Sequence, residues 1–293
     1  MARDGPATVA VTGAAGMLGQ DICREAPNWA RVAALTRDEG DLSDPEQARA
    51  ALDAAQPDFI IHCAAYTDVD GATRDPDSAW LGNAVATRNV AEVASEQGAM
   101  LLYVSTDYVF DGRGSGPCTE SATPNPLNVY GETKLEGERH VLTVVRHLIV
   151  RTQWLYGLGG RNFVRPIIEA ARAGKSLRVV QNERGCPTFT RDLAGGIWRA
   201  LEAEVSGILH LTNQEACTRL EFAQAALADA GLADTPITGI DSAEWESPTE
   251  RPLNAVLVSE RLEETGLTPL RHWRMALADY VGMLHADPGP NSD

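Results

Sequence analysis

The sequence predicts an α/β fold: a doubly wound parallel sheet followed by a smaller C-terminal α/β lid for substrate. Three observations carry this. An apolar run at residues 8–11 leads directly into the turn T-G-A-A-G-M-L-G. Three further strand-length apolar runs follow, at 31–36, 57–63 and 100–104, with helix-length connections between them. The last run ends in polar side chains, Ser105, Thr106 and Asp107, and Tyr130 and Lys134 stand four apart soon after.

The elements follow in order. Gly13, Gly16 and Gly19 are spaced by three, and residues 20–26 are helix-compatible. Strand, glycine turn and helix is the context that a dinucleotide site requires. The first glycine permits the tight turn, the second lets backbone N–H groups approach a pyrophosphate, and the third lets helix pack on strand. The helix N-terminus then meets phosphate charge with its dipole. The second strand ends in Thr36-Arg37-Asp38. An acid there would suit the ribose hydroxyls of NAD, whereas Arg37 suits a 2′-phosphate. NADPH is therefore expected, with NADH left possible by the adjacent Asp38. Ser43 or Asp44 can cap a helix that opens at Pro45. The third run passes into Ala64 and Ala65, small enough for a flat cofactor to lie against the backbone. His62, alone in an apolar run, reads as packing. Asp68 and Asp70 have no third ligand at suitable spacing, so they read as solvated loop and no metal site is expected. Residues 78–97 read as one helix, with Asn83 near its start.

Ser105, Thr106 and Asp107 lie at a strand's carboxyl end, where open α/β sheets place ligands. Residues 132–140 read as helix, so Tyr130 and Lys134 share one face. A lysine one turn from a tyrosine should lower the phenol's pKa. A hydroxyl from Ser105 or Thr106 can hydrogen-bond the same reacting oxygen. This equipment suits proton transfer at a carbonyl oxygen while hydride moves at carbon.

Beyond Lys134, strands are expected at 147–152, 177–180 and 207–212. Helices are expected at 162–173, 192–202, 218–230, 259–266 and 273–284, with Thr218 and Glu221 forming a capping box. The division expected is a dinucleotide-binding domain at 7–155, rejoined by parts of 190–215, a substrate-binding portion at 156–286 and a flexible tail at 287–293. In so acidic a chain an anionic substrate needs a local basic pocket, and Arg161, Arg165, Arg184, Arg191 and Arg251 lie in the second half. Arg251, beside a proline in a loop, is the chosen candidate.

A formal net charge of −16 argues against nucleic acid and anionic membrane surfaces. Five scattered cysteines without C-x-x-C argue against a disulfide frame or zinc site. No apolar run is of spanning length and no secretory signal is visible, so a cytoplasmic location is expected.

The motifs T-G-A-A-G-M-L-G, C-A-A-Y-T-D-V-D, S-T-D-Y-V-F-D-G, P-L-N-V-Y-G-E-T-K, R-T-Q-W-L-Y-G, G-C-P-T and R-P-L-N run nearly the whole chain. In that order they resemble the dTDP-4-dehydrorhamnose reductase family of the extended short-chain dehydrogenase/reductase superfamily. The resemblance implies a Rossmann fold and reduction of the C4 ketone of dTDP-4-dehydro-6-deoxy-L-mannose to dTDP-L-rhamnose. It implies a trio of Thr106, Tyr130 and Lys134: Tyr130 as general acid, Lys134 on the nicotinamide ribose, Thr106 on the sugar C4 oxygen, with Asp107 beside them. Implied cofactor contacts are Gly13, Gly16, Met17, Leu18, Gly19, Asp41, Leu42, Ala64, Ala65, Tyr66 and Asn83. Trp154 would border the sugar pocket. Monomer and homodimer both stay open. One departure is Gly71-Ala72-Thr73-Arg74, where an acid is expected after V-D-x-A. Rivals are a reductase of a related dTDP-4-keto sugar for an antibiotic deoxysugar, a dehydratase or epimerase on the same scaffold, and a non-catalytic regulatory subunit. Against a dehydratase, Thr106 is followed by Asp107-Tyr108 and not by a pair of acids.

Overall fold

A computed structural model describes residues 5–286; the tail expected at 287–293 lies outside them. In chain order the first half runs β1 Ala7–Thr12, α1 Met17–Arg24, β2 Ala30–Leu35, α2 Pro45–Ala55, β3 Phe59–His62, α3 Val69–Arg74, α4 Pro76–Trp80, α5 Ala86–Gln97, β4 Met100–Thr106, α6 Val129–Val141 and β5 His147–Thr152. The second half runs β6 Leu155–Tyr156, α7 Val164–Arg172, β7 Leu177–Val180, β8 Arg184–Gly185, β9 Thr188–Phe189, α8 Thr190–Glu202, β10 Gly207–His210, β11 Cys217–Thr218, α9 Arg219–Asp229, β12 Ile237–Ile240, α10 Leu262–Thr265 and α11 Trp273–Ala286.

The described residues form one six-stranded sheet in the order β2-β1-β3-β4-β5-β10, parallel throughout. This is the doubly wound Rossmann-like arrangement. Strand alternation sorts the core into two faces. Val9, Val11, Ile61, Leu102 and Val150 pack with Leu18 and Ile22 of α1 and Ile197 and Trp198 of α8. Ala10, Ile60, Leu101, Tyr103 and Ile149 pack on the other face with Leu52 of α2, Val90 and Ala94 of α5 and Val141 of α6. A third core joins α7, α9 and α11 through Tyr156, Phe189, Phe222 and Tyr280. The connection from β1 to β2 runs one way along the sheet and that to β3 the other, so the chain reverses beside β1. That reversal opens a crevice at the carboxyl ends of β1 and β3, where such sheets bind ligands.

Three local expectations change. The helix expected over 78–97 is interrupted by a π-helical turn at Leu81–Val85, which carries Asn83. Asp68, read as solvated loop, caps α3, its carboxylate accepting from the Gly71 N–H at 2.8 Å. Of the helix expected at 259–266, only Leu262–Thr265 forms. There Ser259 Oγ donates to Glu120 and accepts from the Arg261 and Leu262 N–H groups. Glu120 thus anchors this segment to a distant part of the chain. The capping box of α9 is present, Thr218 with Glu221. All five cysteines are free thiols. No helix among the described residues is long and apolar enough to cross a membrane.

Candidate active site

The crevice begins at the glycine turn. Gly13 has φ +67°, and a Cβ there would stand 2.7 Å from the Ala64 N atom. Only glycine lets the β1 and β3 carboxyl ends meet so closely. Gly16 is the N-cap of α1 and brings no side-chain cap, so the first-turn N–H groups of Met17 and Leu18 are left for an anion. Gln20 ties the turn to the second half, its Nε2 donating to Ala15 O (2.8 Å) and Gly159 O (3.3 Å). Gly13, Gly16 and Gly19 carry no side chain and Ala64 and Ala65 only a small one, so backbone lines this turn, whereas the Leu18 side chain packs into the core. These residues fit a dinucleotide.

Asn83 does not present its amide to this approach. Its Oδ1 accepts from the Tyr66 N–H (2.8 Å), and its Nδ2 donates to Tyr66 O (3.1 Å) and Thr133 Oγ1 (3.0 Å). Asn83 therefore holds the loop of Ala64, Ala65 and Tyr66 against α6. Arg37 is exposed just past β2. Asp41 is kept below the usual carboxylate range by the Ser43 N–H and hydroxyl, with Arg37 adding to the effect. The Leu42 carbonyl accepts from Asn89 at 2.9 Å. Sequence reasoning missed Glu39, whose carboxylate folds back to accept from the Thr36 N–H and hydroxyl, both at 2.7 Å. Both Arg37 and an acid thus stand at the tip of β2.

At the next strand, Thr106 closes β4 and Asp107 opens a 3₁₀ turn, Asp107–Val109. Thr106 Oγ1 donates to Asp107 Oδ1 (3.0 Å) and accepts from the Tyr108 N–H (3.2 Å). Tyr130 lies in the first turn of α6, capped by Asn128, whose Oδ1 accepts from the Gly131 N–H at 2.9 Å. Gly131 is the position that lets α6 approach: a Cβ there would lie 2.2 Å from Tyr108 O. The Tyr130 ring stands edge-on to Tyr108 at 5.4 Å, and its hydroxyl hydrogen-bonds Thr106. Ser105 is drawn elsewhere. Its hydroxyl donates to Glu138 (2.5 Å), which also binds buried Arg151 at 2.7 and 2.9 Å. Of the two strand-end hydroxyls, the structure brings Thr106 to Tyr130.

The expected lowering of the Tyr130 pKa is reversed. Burial pushes it up, Asp107 adds to the rise, and the Thr106 hydrogen bond only partly offsets them. Lys134 does not counter this, because its Nζ donates to Val104 O (2.8 Å) and lies over the Tyr103 ring, 4.1 Å from the centroid. Burial pulls Lys134 down to about 7, despite Glu138 one turn away. Burial also lifts Asp107 to about 6, opposed by its bonds from Thr106 and Gln153.

Beyond β5, Trp154 has φ +49°, unusual for a bulky residue. Arg251 is not a free cation: it pairs with Asp70 at 2.8 Å and donates to Ser247. Asp70, read as solvated, is thereby held below its ordinary range. Gln153 was missed by sequence reasoning, although it sits inside R-T-Q-W. Its Nε2 donates to Asp107 Oδ2 (3.0 Å) and Ala255 O (2.9 Å), and its Oε1 accepts from the Cys186 (2.9 Å) and Leu257 (3.1 Å) N–H groups. Every hydrogen-bonding position of that amide is filled, so Asp107 is fixed to the second half of the chain.

Residues 7–285 match the family model described as RmlD substrate binding domain. A probable dTDP-4,6-dihydroxy-2-methyloxan-3-one 4-ketoreductase of Streptomyces antibioticus is 43% identical, over 96% of this chain and 97% of its own. A dTDP-4-dehydrorhamnose reductase of Streptomyces griseus is 38% identical, over 92% and 91%. A crystal structure of dTDP-4-dehydrorhamnose reductase from Bacillus anthracis in complex with NADP superposes with a TM-score of 0.91 at 31% identity, covering 95% of this chain and 99% of that one. Since the similarity runs through the sheet and through the region over its carboxyl edge alike, the chain belongs to the dTDP-4-dehydrorhamnose reductase family.

Proposed function

We propose that the protein is an NADPH-dependent reductase of a dTDP-4-keto-6-deoxy sugar, taking dTDP-4-dehydro-6-deoxy-L-mannose to dTDP-L-rhamnose. The observation that carries this reading is the cluster of Thr106, Asp107 and Tyr130, with Lys134 one helical turn on, at the carboxyl end of β4. The Gly13–Gly16 turn and the first N–H groups of α1 would hold the pyrophosphate, Lys134 the nicotinamide ribose, and Arg37 the 2′-phosphate. When bound, the reduced nicotinamide supplies hydride to C4.

The chain's own residues handle the proton. Burial keeps Tyr130 neutral, the state required of a proton donor, and its hydroxyl donates to the C4 oxygen as charge develops there. The Thr106 hydroxyl, which donates to Asp107, can rotate its hydrogen towards the same oxygen. Asp107 is ionised at neutral pH and orients Thr106.

A second reading keeps the chemistry and changes the sugar. The 43% identity to the S. antibioticus ketoreductase supports a related dTDP-4-keto sugar as substrate. Cofactor oxidation with each 4-keto sugar, using NADPH and NADH in parallel, separates these. Tyr130→Phe should lower kcat by about 10²- to 10⁴-fold with little change in NADPH affinity, as for loss of a general acid. An unchanged kcat would remove Tyr130 from the chemistry.

A further inference from the structure

Near enough to Asp107 for its charge to be felt lies Arg219, paired with Glu183, and neither takes part in the proton steps above. Arg219, the first residue of α9, stacks its guanidinium on the Trp154 indole, 3.6 Å from the ring centroid, with Phe163 at 5.3 Å. Its Nε donates to Glu183 Oε2 at 3.4 Å, and its backbone N–H donates to Glu183 O at 3.3 Å. The two side chains are only 18% and 10% exposed. Arg219 Nη1 and Nη2 and Glu183 Oε1 make no hydrogen bond among the described residues, yet none is sealed from solvent. Polar atoms held in place, left unpartnered and reached by solvent are ready for a ligand.

The platform under Arg219 is fixed and is continuous in the chain with the residue that holds Asp107. Trp154 is fixed in a left-handed backbone conformation, and a Cβ on Gly185 would stand 2.6 Å from its ring. The residue before it, Gln153, holds Asp107. Arg219 is near enough that its charge favours ionised Asp107.

The donor set identifies the ligand chemistry. A lone guanidinium would suit a phosphate, but the Glu183 carboxylate beside it would repel one. A guanidinium and a carboxylate over an indole offer donors, an acceptor and an apolar face, which match vicinal hydroxyls on a pyranose ring. We propose that Arg219 and Glu183 together read the sugar hydroxyls next to the reacting carbon, Arg219 donating and Glu183 accepting. They would then determine which 4-keto hexose is accepted. This rests on the nucleotide-sugar reading above.

The test is calorimetric titration of NADP-saturated enzyme with dTDP-L-rhamnose and, separately, with dTDP. It uses wild type, Arg219→Ala, Arg219→Lys and Glu183→Gln, each first checked for NADPH binding and thermal melting. Arg219→Lys keeps stem and charge but loses the planar fork, so it reports even if Arg219→Ala fails to fold. The expected result is dTDP-L-rhamnose binding weakened about 10- to 100-fold in the Arg219 variants, as for loss of a charged hydrogen bond, with dTDP affinity unchanged. Glu183→Gln should weaken the same ligand alone. Equal loss for dTDP would assign the pair to the diphosphate and overturn the proposal, as would no loss for either ligand. Wild-type enzyme that binds NADPH but neither dTDP compound would overturn the nucleotide-sugar reading, and the pair's role with it.

Discussion

Lys134 shows how far a side chain's chemistry depends on where its head group goes. On the helix it is one turn from Tyr130, and the sequence suggests a cation beside a phenol. In the fold the amine turns to the Val104 carbonyl and the Tyr103 face, and burial draws its pKa from 10.5 to about 7. Below about pH 7 folded and unfolded chains both carry this proton, and folding bears the whole cost of burying it. Between about 7 and 10.5 only the unfolded chain is protonated, so stability rises with pH across that window. Urea unfolding of the cofactor-free protein should show wild type gaining stability relative to Lys134→Met from pH 7 to pH 10. Parallel curves would contradict the depressed value. The choice between Ser105 and Thr106 was equally hidden. It turns on the buried pair of Glu138 and Arg151, which captures Ser105. Those residues sit on α6 and β5, and no local pattern announces that they meet.

At the scale of elements, α6 is what places Tyr130. Two local features set its start: the Asn128 cap and the absence of a side chain at Gly131. Asn128 also donates from Nδ2 to Glu250 O at 2.8 Å, so one residue fixes both the helix and the loop beyond it. Asn128→Ala should cost about 0.5–2 kcal/mol in denaturant unfolding, the range for loss of a cap. It should also lower kcat, because the first turn carries the phenol. A destabilised variant with wild-type kcat would mean that the cap does not position Tyr130. The helix itself was readable from its sequence pattern. The π-helical turn at Leu81–Val85 was not, since periodicity continues through it. Its role emerges only when Asn83 is seen gripping both backbone groups of Tyr66.

Across the whole molecule, the parallel sheet and its glycine turn were legible because strand composition and turn chemistry are local. The region over the carboxyl edge was less so. Its small strands β8, β9 and β11 are two residues long, too short to leave a pattern. Its order comes from an aromatic core in which Tyr156 packs at 5.3 to 5.6 Å from Phe189, Phe222 and Tyr280. Beside that packing, Gln153 bonds Asp107 and Arg219 stacks on Trp154, which ties the two halves of the chain together. On the proposed reading, hydride reaches C4 of a dTDP-4-keto sugar in this site while Tyr130 supplies the proton. The most direct measurement is NMR of the product formed from dTDP-4-dehydro-6-deoxy-L-mannose and NADPH deuterated at the transferable position. The expected product is dTDP-L-rhamnose with deuterium at C4. Deuterium at another carbon, or no turnover of any dTDP-4-keto sugar by folded protein that binds NADPH, would contradict it.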